Sequence, residues 1–128
     1  MLGTLHIEAN GIPIYIQIRE HLLAAIASGA LKPGERLPTM RKVATTLRVN
    51  LNTVRHAYES ARESGAIVLV RARGTYVAEP PPEITQDAVD RLARNTAVAA
   101  YKQGISLIKL IERLNQIAMG HQAEGGPS

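Results

Sequence analysis

Six consecutive residues, Asn50-Leu51-Asn52-Thr53-Val54-Arg55, open a helical pattern and carry side chains suited to reading base-pair edges. Arginine presents a planar fork that matches the O6 and N7 atoms of guanine, and asparagine pairs bidentately with adenine. Asn52 and Arg55 therefore have the chemistry of base readers. Asn50 and Thr53 suit phosphate oxygens, and Leu51 suits a thymine methyl. Arg41, on the exposed side of the preceding helix near its start, is placed to reach a phosphate or a base. A second cationic group, Arg71-Ala72-Arg73-Gly74, falls at a turn between two β-rich runs, where it suits a minor groove or the phosphate backbone.

The elements that must position these residues follow from periodicity and caps. Pro13 opens a first helix, where its missing N–H costs nothing. Tyr15, Ile18, Leu22, Ala25 and Ile26 recur at helical spacing, and Ser28-Gly29 ends the pattern. Residues 31–38 form a turn-rich connection with a tight turn at Pro33-Gly34. Thr39 caps a second helix with the apolar face Met40, Val43, Ala44, Leu47. Arg48-Val49 is the turn, and Asn50 caps a third helix that buries Val54, Ala57, Tyr58 and Ala61. Its other face shows Asn52, Thr53, Arg55, His56 and Glu59. Ser64-Gly65 ends it. Ile67–Val70 and Thr75–Val77 are β-branched runs expected to pair as a hairpin. Two short helices, a brief turn and a basic hairpin, in that order, describe a winged helix-turn-helix, whose third helix enters the major groove by its N-terminal end.

The fold expected is thus mainly α with a small β-hairpin. A winged helix-turn-helix spans residues 1–78, a proline-rich linker 79–84 and a two-helix dimerisation region 85–120, with 121–128 expected to be disordered. Thr85 caps the first tail helix, whose small-residue face is Val89, Leu92, Ala93, Thr96, Ala97 and Ala100. Gly104 breaks it. Ser106 caps the last helix, with Leu107, Ile108, Ile111, Leu114, Ile117 and Ala118 as its apolar face. A two-helix hairpin cannot bury such stripes alone, so pairing with a second copy is the expected solution, through Val89, Leu92, Ala93, Ala97, Leu107, Ile108, Ile111 and Leu114. The competing arrangement folds the tail back onto its own winged helix as extra core.

Charge separates the same two regions. Residues 1–80 hold ten Lys/Arg and six Asp/Glu, while residues 81–128 hold five of each, so the whole excess of +4 lies with the helix-turn-helix pattern. A basic head on a neutral tail suits a polyanion-binding module carried by an interaction segment. The chain has no cysteine, which excludes disulfides and thiolate metal sites. His6, His21, His56 and His121 are isolated, without metal spacing, and there is no glycine-rich phosphate loop. No enzyme activity, metal or cofactor is expected. The N-terminus lacks the basic flank and apolar run of a signal peptide, and no apolar run approaches the ~18 residues of a membrane span, so a cytoplasmic protein is expected.

Four blocks carry a family likeness: Pro13-Ile14-Tyr15-Ile16-Gln17-Ile18, the run Gly29 to Arg41, Thr53-Val54-Arg55-His56-Ala57-Tyr58, and Gly74-Thr75-Tyr76-Val77. Together they resemble the GntR family of bacterial transcription regulators, over about residues 10–78. The resemblance implies a dimer on a short palindromic operator. It implies DNA contacts from Arg41, Asn52, Thr53, Arg55 and the hairpin tip. Three positions depart from the family pattern. Leu51 stands where an arginine is usual, which removes a guanine contact and puts the usual operator in doubt. Arg48 stands where the turn usually has glycine and is a replacement phosphate contact. Ala72 stands where a glycine is common, which predicts a stiffer tip. About 45 residues follow the hairpin, too few for the family's larger effector domains. Two helices after a proline linker resemble the short YtrA-type subfamily, in which the tail makes the dimer.

The expected function is that of a sequence-specific, double-stranded-DNA-binding regulator, acting as a repressor and as a homodimer. A small-molecule effector is compatible with the sequence but nothing in it supports one. The alternative is a protein-interaction module of the same fold, with weak or non-specific DNA binding and Leu51 in an apolar docking surface.

Overall fold

The computed structural model describes residues 5–80 and 83–120; residues 1–4, Pro81, Pro82 and the segment 121–128, which includes His121, lie outside the described residues. The elements are α1 (Ile14–Ser28), α2 (Met40–Leu47), α3 (Leu51–Glu63), β1 (Ile67–Val70), β2 (Gly74–Val77), α4 (Gln86–Lys102) and α5 (Leu107–Ala118). The protein is mainly α-helical with one small antiparallel hairpin, as its periodicities predict. It divides into two compact units, Met1–Glu79 and Pro80–Ser128.

In the first unit, the three predicted apolar faces converge on one core. Ile18 and Leu22 of α1, Val43 of α2, Val54, Ala57, Tyr58 and Ala61 of α3, and Ile67 and Val77 of the hairpin are all buried in it. Each large side chain removed from water in this way stabilises the fold by about 1.5–3 kcal/mol. The Tyr58 hydroxyl donates to the Pro38 carbonyl at 2.7 Å, which satisfies the polar end of the largest buried side chain. Arg19 of α1 donates to Ser60 Oγ of α3 at 2.9 Å and lies 5.9 Å from the centroid of the Tyr15 ring. Gln17, for which the sequence suggests no role, clasps the segment before α1. It accepts from the Glu8 N–H and donates to the carbonyls of Glu8 and Ile12.

Three local expectations are corrected. Pro13 is the residue before the helix, with extended backbone (φ −52°, ψ 141°), and α1 starts at Ile14. Residues 31–38 are more than a turn. Leu37 N–H donates to the Thr75 carbonyl at 2.8 Å and Val77 N–H to the Glu35 carbonyl at 2.9 Å, so Glu35–Leu37 lie along the free edge of β2. Their sequence has no alternating apolar pattern, because only Leu37 reaches the core. β2 also begins one residue early, at Gly74, which pairs with Val70.

Three helices end in the same backbone geometry. After α2, α3 and α4 a residue in left-handed conformation sends its N–H back three residues, and the next N–H reaches back five: Arg48/Val49, Gly65/Ala66 and Gly104/Ile105. This is the Schellman motif, which favours glycine at the left-handed position. Two of the three have glycine there, and α2 has Arg48 at φ 58°.

In the second unit α4 and α5 are capped by Thr85 and Ser106 as predicted, whose side chains accept from the Ala88 and Lys109 amides. The two helices touch, but little is buried. Among the described residues of this unit only Ala100 is fully buried, with Thr96, Ala97, Leu110, Arg113 and Ile117 half-buried.

Candidate nucleic-acid interface

The core decides which side of α3 is free. Val54, Ala57, Tyr58 and Ala61 consume one face, which leaves Asn52, Arg55, His56 and Glu59 exposed on the other. Val49 and Val54, at the two positions of a hydrophobic staple, both join the core cluster and fix how the chain enters the helix. Asn50 caps α3: its Oδ1 accepts from the Asn52 N–H at 2.7 Å. That bond commits the carbonyl end of the Asn50 side chain and leaves its NH2 group as donor. The unpaired N–H groups and positive dipole end of α3 add to the attraction for an anion there.

The predicted contact residues fall into three groups. Asn52 and Arg55 are exposed together at the start of α3, and Arg55 Nη1 donates to Asn52 Oδ1. Arg41, Arg48 and Asn50 are exposed on α2 and the turn that leads into α3. Arg71 and Arg73 are exposed on the hairpin tip, where the Arg73 N–H returns to the Val70 carbonyl at 2.9 Å. Ala72 occupies the third position of that turn with φ 65°, a geometry that favours glycine.

Two expectations shift. Leu51 is half-buried and packs against the core cluster, so most of its apolar surface serves folding. That removes the exposed apolar patch on which the protein-docking alternative rested, and it restricts Leu51 as a reader of thymine. Thr53 is likewise half-buried. His56 faces solvent as expected, and its exposed ring also stacks on Tyr15 with ring centroids 3.6 Å apart and planes within 13°.

Sequence reasoning missed Arg36. Gly74 has φ 122°, and a β-carbon there would lie 3.0 Å from Arg36 Nε. The Arg36 guanidinium thus lies across the backbone of Gly74, and a third arginine joins the hairpin from a strand segment far away in sequence. Its presence in the Gly29–Arg41 block was the available signal. Arg62 was also passed over; with Arg55 and Glu59 it rims a groove between α3 and the hairpin floored by Met40, Ile67 and Leu69.

The remaining chemistry is sparse. Among the described residues no group of three His, Asp or Glu side chains could hold a metal ion, and no helix is long and apolar enough to cross a membrane. Burial raises the Tyr58 phenol well above its ordinary value, which makes it a neutral core donor.

Comparison with known proteins gives consistent results. Residues 14–77 match the model of bacterial regulatory proteins of the gntR family. The HTH-type transcriptional repressor YtrA of Bacillus subtilis is 33% identical over 113 residues, covering 85% of this chain and 87% of that protein. Among solved structures, YtrA from Sulfolobus acidocaldarius, a GntR-family transcription factor, superposes with a TM-score of 0.59 at 29% identity, covering 88% of this chain and 93% of the other. AraR(DBD) in complex with operator ORE1 superposes with a TM-score of 0.50 at 28% identity, over 52% of this chain and 82% of that one. The matched segment runs from the first turn of α1 to the last residue of β2, which contains every residue of the basic face described above. The chain belongs to the gntR family of bacterial regulatory proteins.

Proposed function

We propose that the protein is a sequence-specific DNA-binding transcriptional repressor that acts as a homodimer on a short palindromic operator. The observation that carries this is the division of α3: one face is spent entirely on the core, while Asn52 and Arg55 stand exposed at the capped N-terminal end. That end enters the major groove. The hairpin, with Arg71, Arg73 and Arg36, grips the minor groove or the backbone. The repressor activity of the Bacillus subtilis relative and the operator complex of AraR(DBD) support the reading. A DNA partner implies a cytoplasmic location.

The second unit supplies the symmetry. Leu107, Ile108, Ile111 and Leu114 of α5 and Val89, Leu92 and Ala93 of α4 are exposed in the single chain, with Ala97 half-buried beside them. Leu92 keeps 69% of its surface in water and Ile108 66%, more than a stable isolated unit leaves open on its apolar stripe. Pairing two copies covers both stripes and presents two α3 helices to half-sites about one helical turn of DNA apart.

The test is selection of bound duplexes from a random pool, followed by anisotropy titration of the winner against scrambled DNA at fixed salt. A palindrome bound at least ~100-fold more tightly than scrambled duplex is expected. Equal binding to both would sink the claim of sequence-specific reading.

A further inference from the structure

Resting on the DNA-reading assignment above, we infer that Asn52 acts as a positioning residue for the Arg55 guanidinium and is not an independent base reader. The sequence alone makes the two residues equal candidates, each with a bidentate partner base of its own. The structure joins them. Arg55 Nη1 donates to Asn52 Oδ1 across one turn of α3, between two exposed side chains. The spacing i, i+3 makes such a pair neighbours on the helix surface.

Arg55 had another partner in reach. Glu59 lies four residues further on, at the spacing of a helix ion pair. Among the described residues no ion pair joins them. Arg55 is turned instead toward the N-terminus of the helix, the end that approaches DNA.

The choice of partner matters chemically. A carboxylate would hold the guanidinium but neutralise it, and a neutral carbonyl orients it while leaving its full charge and four remaining N–H donors. Arg55 takes one of the two lone pairs of Asn52 Oδ1, so the orientation of the carboxamide is tied to the guanidinium and Asn52 cannot turn to a base of its own independently of Arg55. Asn50 makes the arrangement available: it caps the helix by accepting the Asn52 N–H, so the Asn52 side chain is not needed for capping. A long side chain with about four rotatable bonds is thereby held near its reading position before DNA arrives, which lowers the ordering cost of binding.

The experiment is a double-mutant cycle on the full-length protein: wild type, Asn52→Ala, Asn52→Asp, Arg55→Ala and Asn52→Ala/Arg55→Ala. Each is titrated by anisotropy against the selected duplex and its complete set of single-base-pair variants. Arg55→Ala should flatten discrimination at one base pair per half-site. Asn52→Ala should weaken binding about 3- to 10-fold and flatten the same base pair, as expected for one side chain left unordered. The double variant should lose no more than Arg55→Ala alone. Asn52→Asp should restore discrimination at that base pair while weakening all duplexes alike, since it orients Arg55 but adds negative charge. Discrimination lost at a different base pair in Asn52→Ala, or losses that sum in the double variant, would overturn the inference and leave the DNA-reading assignment intact. An Arg55→Ala variant with unchanged discrimination would overturn both. Circular dichroism melts of each variant, expected to match wild type because both side chains are exposed, separate these effects from unfolding.

Discussion

Arg48 is where folding and DNA binding are expected to pull in opposite directions. It occupies the left-handed position of the Schellman motif that ends α2, with φ 58° and ψ 47°. The same motif closes α3 and α4 around Gly65 and Gly104. A β-carbon in that conformation costs about 1–2 kcal/mol. Arg48→Gly removes this cost, and glycine's extra freedom in the unfolded chain returns about 0.5–1 kcal/mol of it. The net expectation is a gain of ~0.5–1 kcal/mol, or a melting temperature higher by roughly 2–8 °C for a unit of this size. The same change removes a cation from the turn that leads into α3. Each lost phosphate contact lowers the slope of log K against log salt by about 0.9, so the proposed homodimer loses about 1.8. Circular dichroism melts at fixed protein concentration and anisotropy titrations at four salt concentrations measure both quantities. Arg48→Ala separates them, since it keeps the β-carbon and drops the charge: its melt should stay within about 0.5 kcal/mol of wild type while its salt slope falls equally. A lower melting temperature for Arg48→Gly would refute the backbone argument. A higher one with an unchanged salt slope would refute the phosphate contact alone.

Tyr58→Phe removes the donor to the Pro38 carbonyl and should destabilise the first unit by about 1–2 kcal/mol, read as a lower urea midpoint at unchanged slope. The same residue sets an alkaline limit. Its folded-state phenol is held above the ordinary value of ~10, so stability is full below pH ~10 and falls as the unfolded state alone ionises above it. Tyr58→Phe should weaken that decline in alkaline melts. Gly74→Ala forces a side chain to φ 122° and against Arg36 Nε, a cost of about 1–3 kcal/mol; faster hydrogen exchange at the hairpin amides, with α1 to α3 unchanged, is the expected signature. Ile111→Glu places a charge at a stripe residue that is itself 53% exposed in the single chain, so folding of the chain changes by only ~0.5 kcal/mol. The proposed dimer should dissociate, seen by light scattering as the monomer mass; a variant that stays dimeric would show that α5 does not form the interface.

Much of the architecture was legible because it is local. Thr39, Asn50, Thr85 and Ser106 each cap a helix through a side-chain oxygen that bonds an amide two or three residues away, and such bonds are visible as residue type and spacing. The buried face of α3 was equally visible, since Val54, Ala57, Tyr58 and Ala61 repeat at the helical period. What was not legible was long-range. Nothing near Arg36 in the chain announces that it will lie across Gly74, and nothing around Glu35–Leu37 announces a strand partner in β2. The half-burial of Leu51, by contrast, was legible from the helical period, since it stands three residues before Val54 and seven before Tyr58 on one helix face.

The sequence by itself determined the order of elements, the capped start of α3, the surplus of positive charge in the first 80 residues and the family. These depend on residue types and short spacings, which hydrogen-bond geometry and helical period translate directly into local structure. The tertiary structure decided what each candidate side chain is free to do. Packing half-buried Leu51 and Thr53, stacking joined His56 to Tyr15, and a hydrogen bond tied Asn52 to Arg55. The reason is physical. A side chain's chemistry belongs to the residue, but its availability depends on which neighbours the fold brings against it, and those neighbours come from other turns of the helix or from distant parts of the chain.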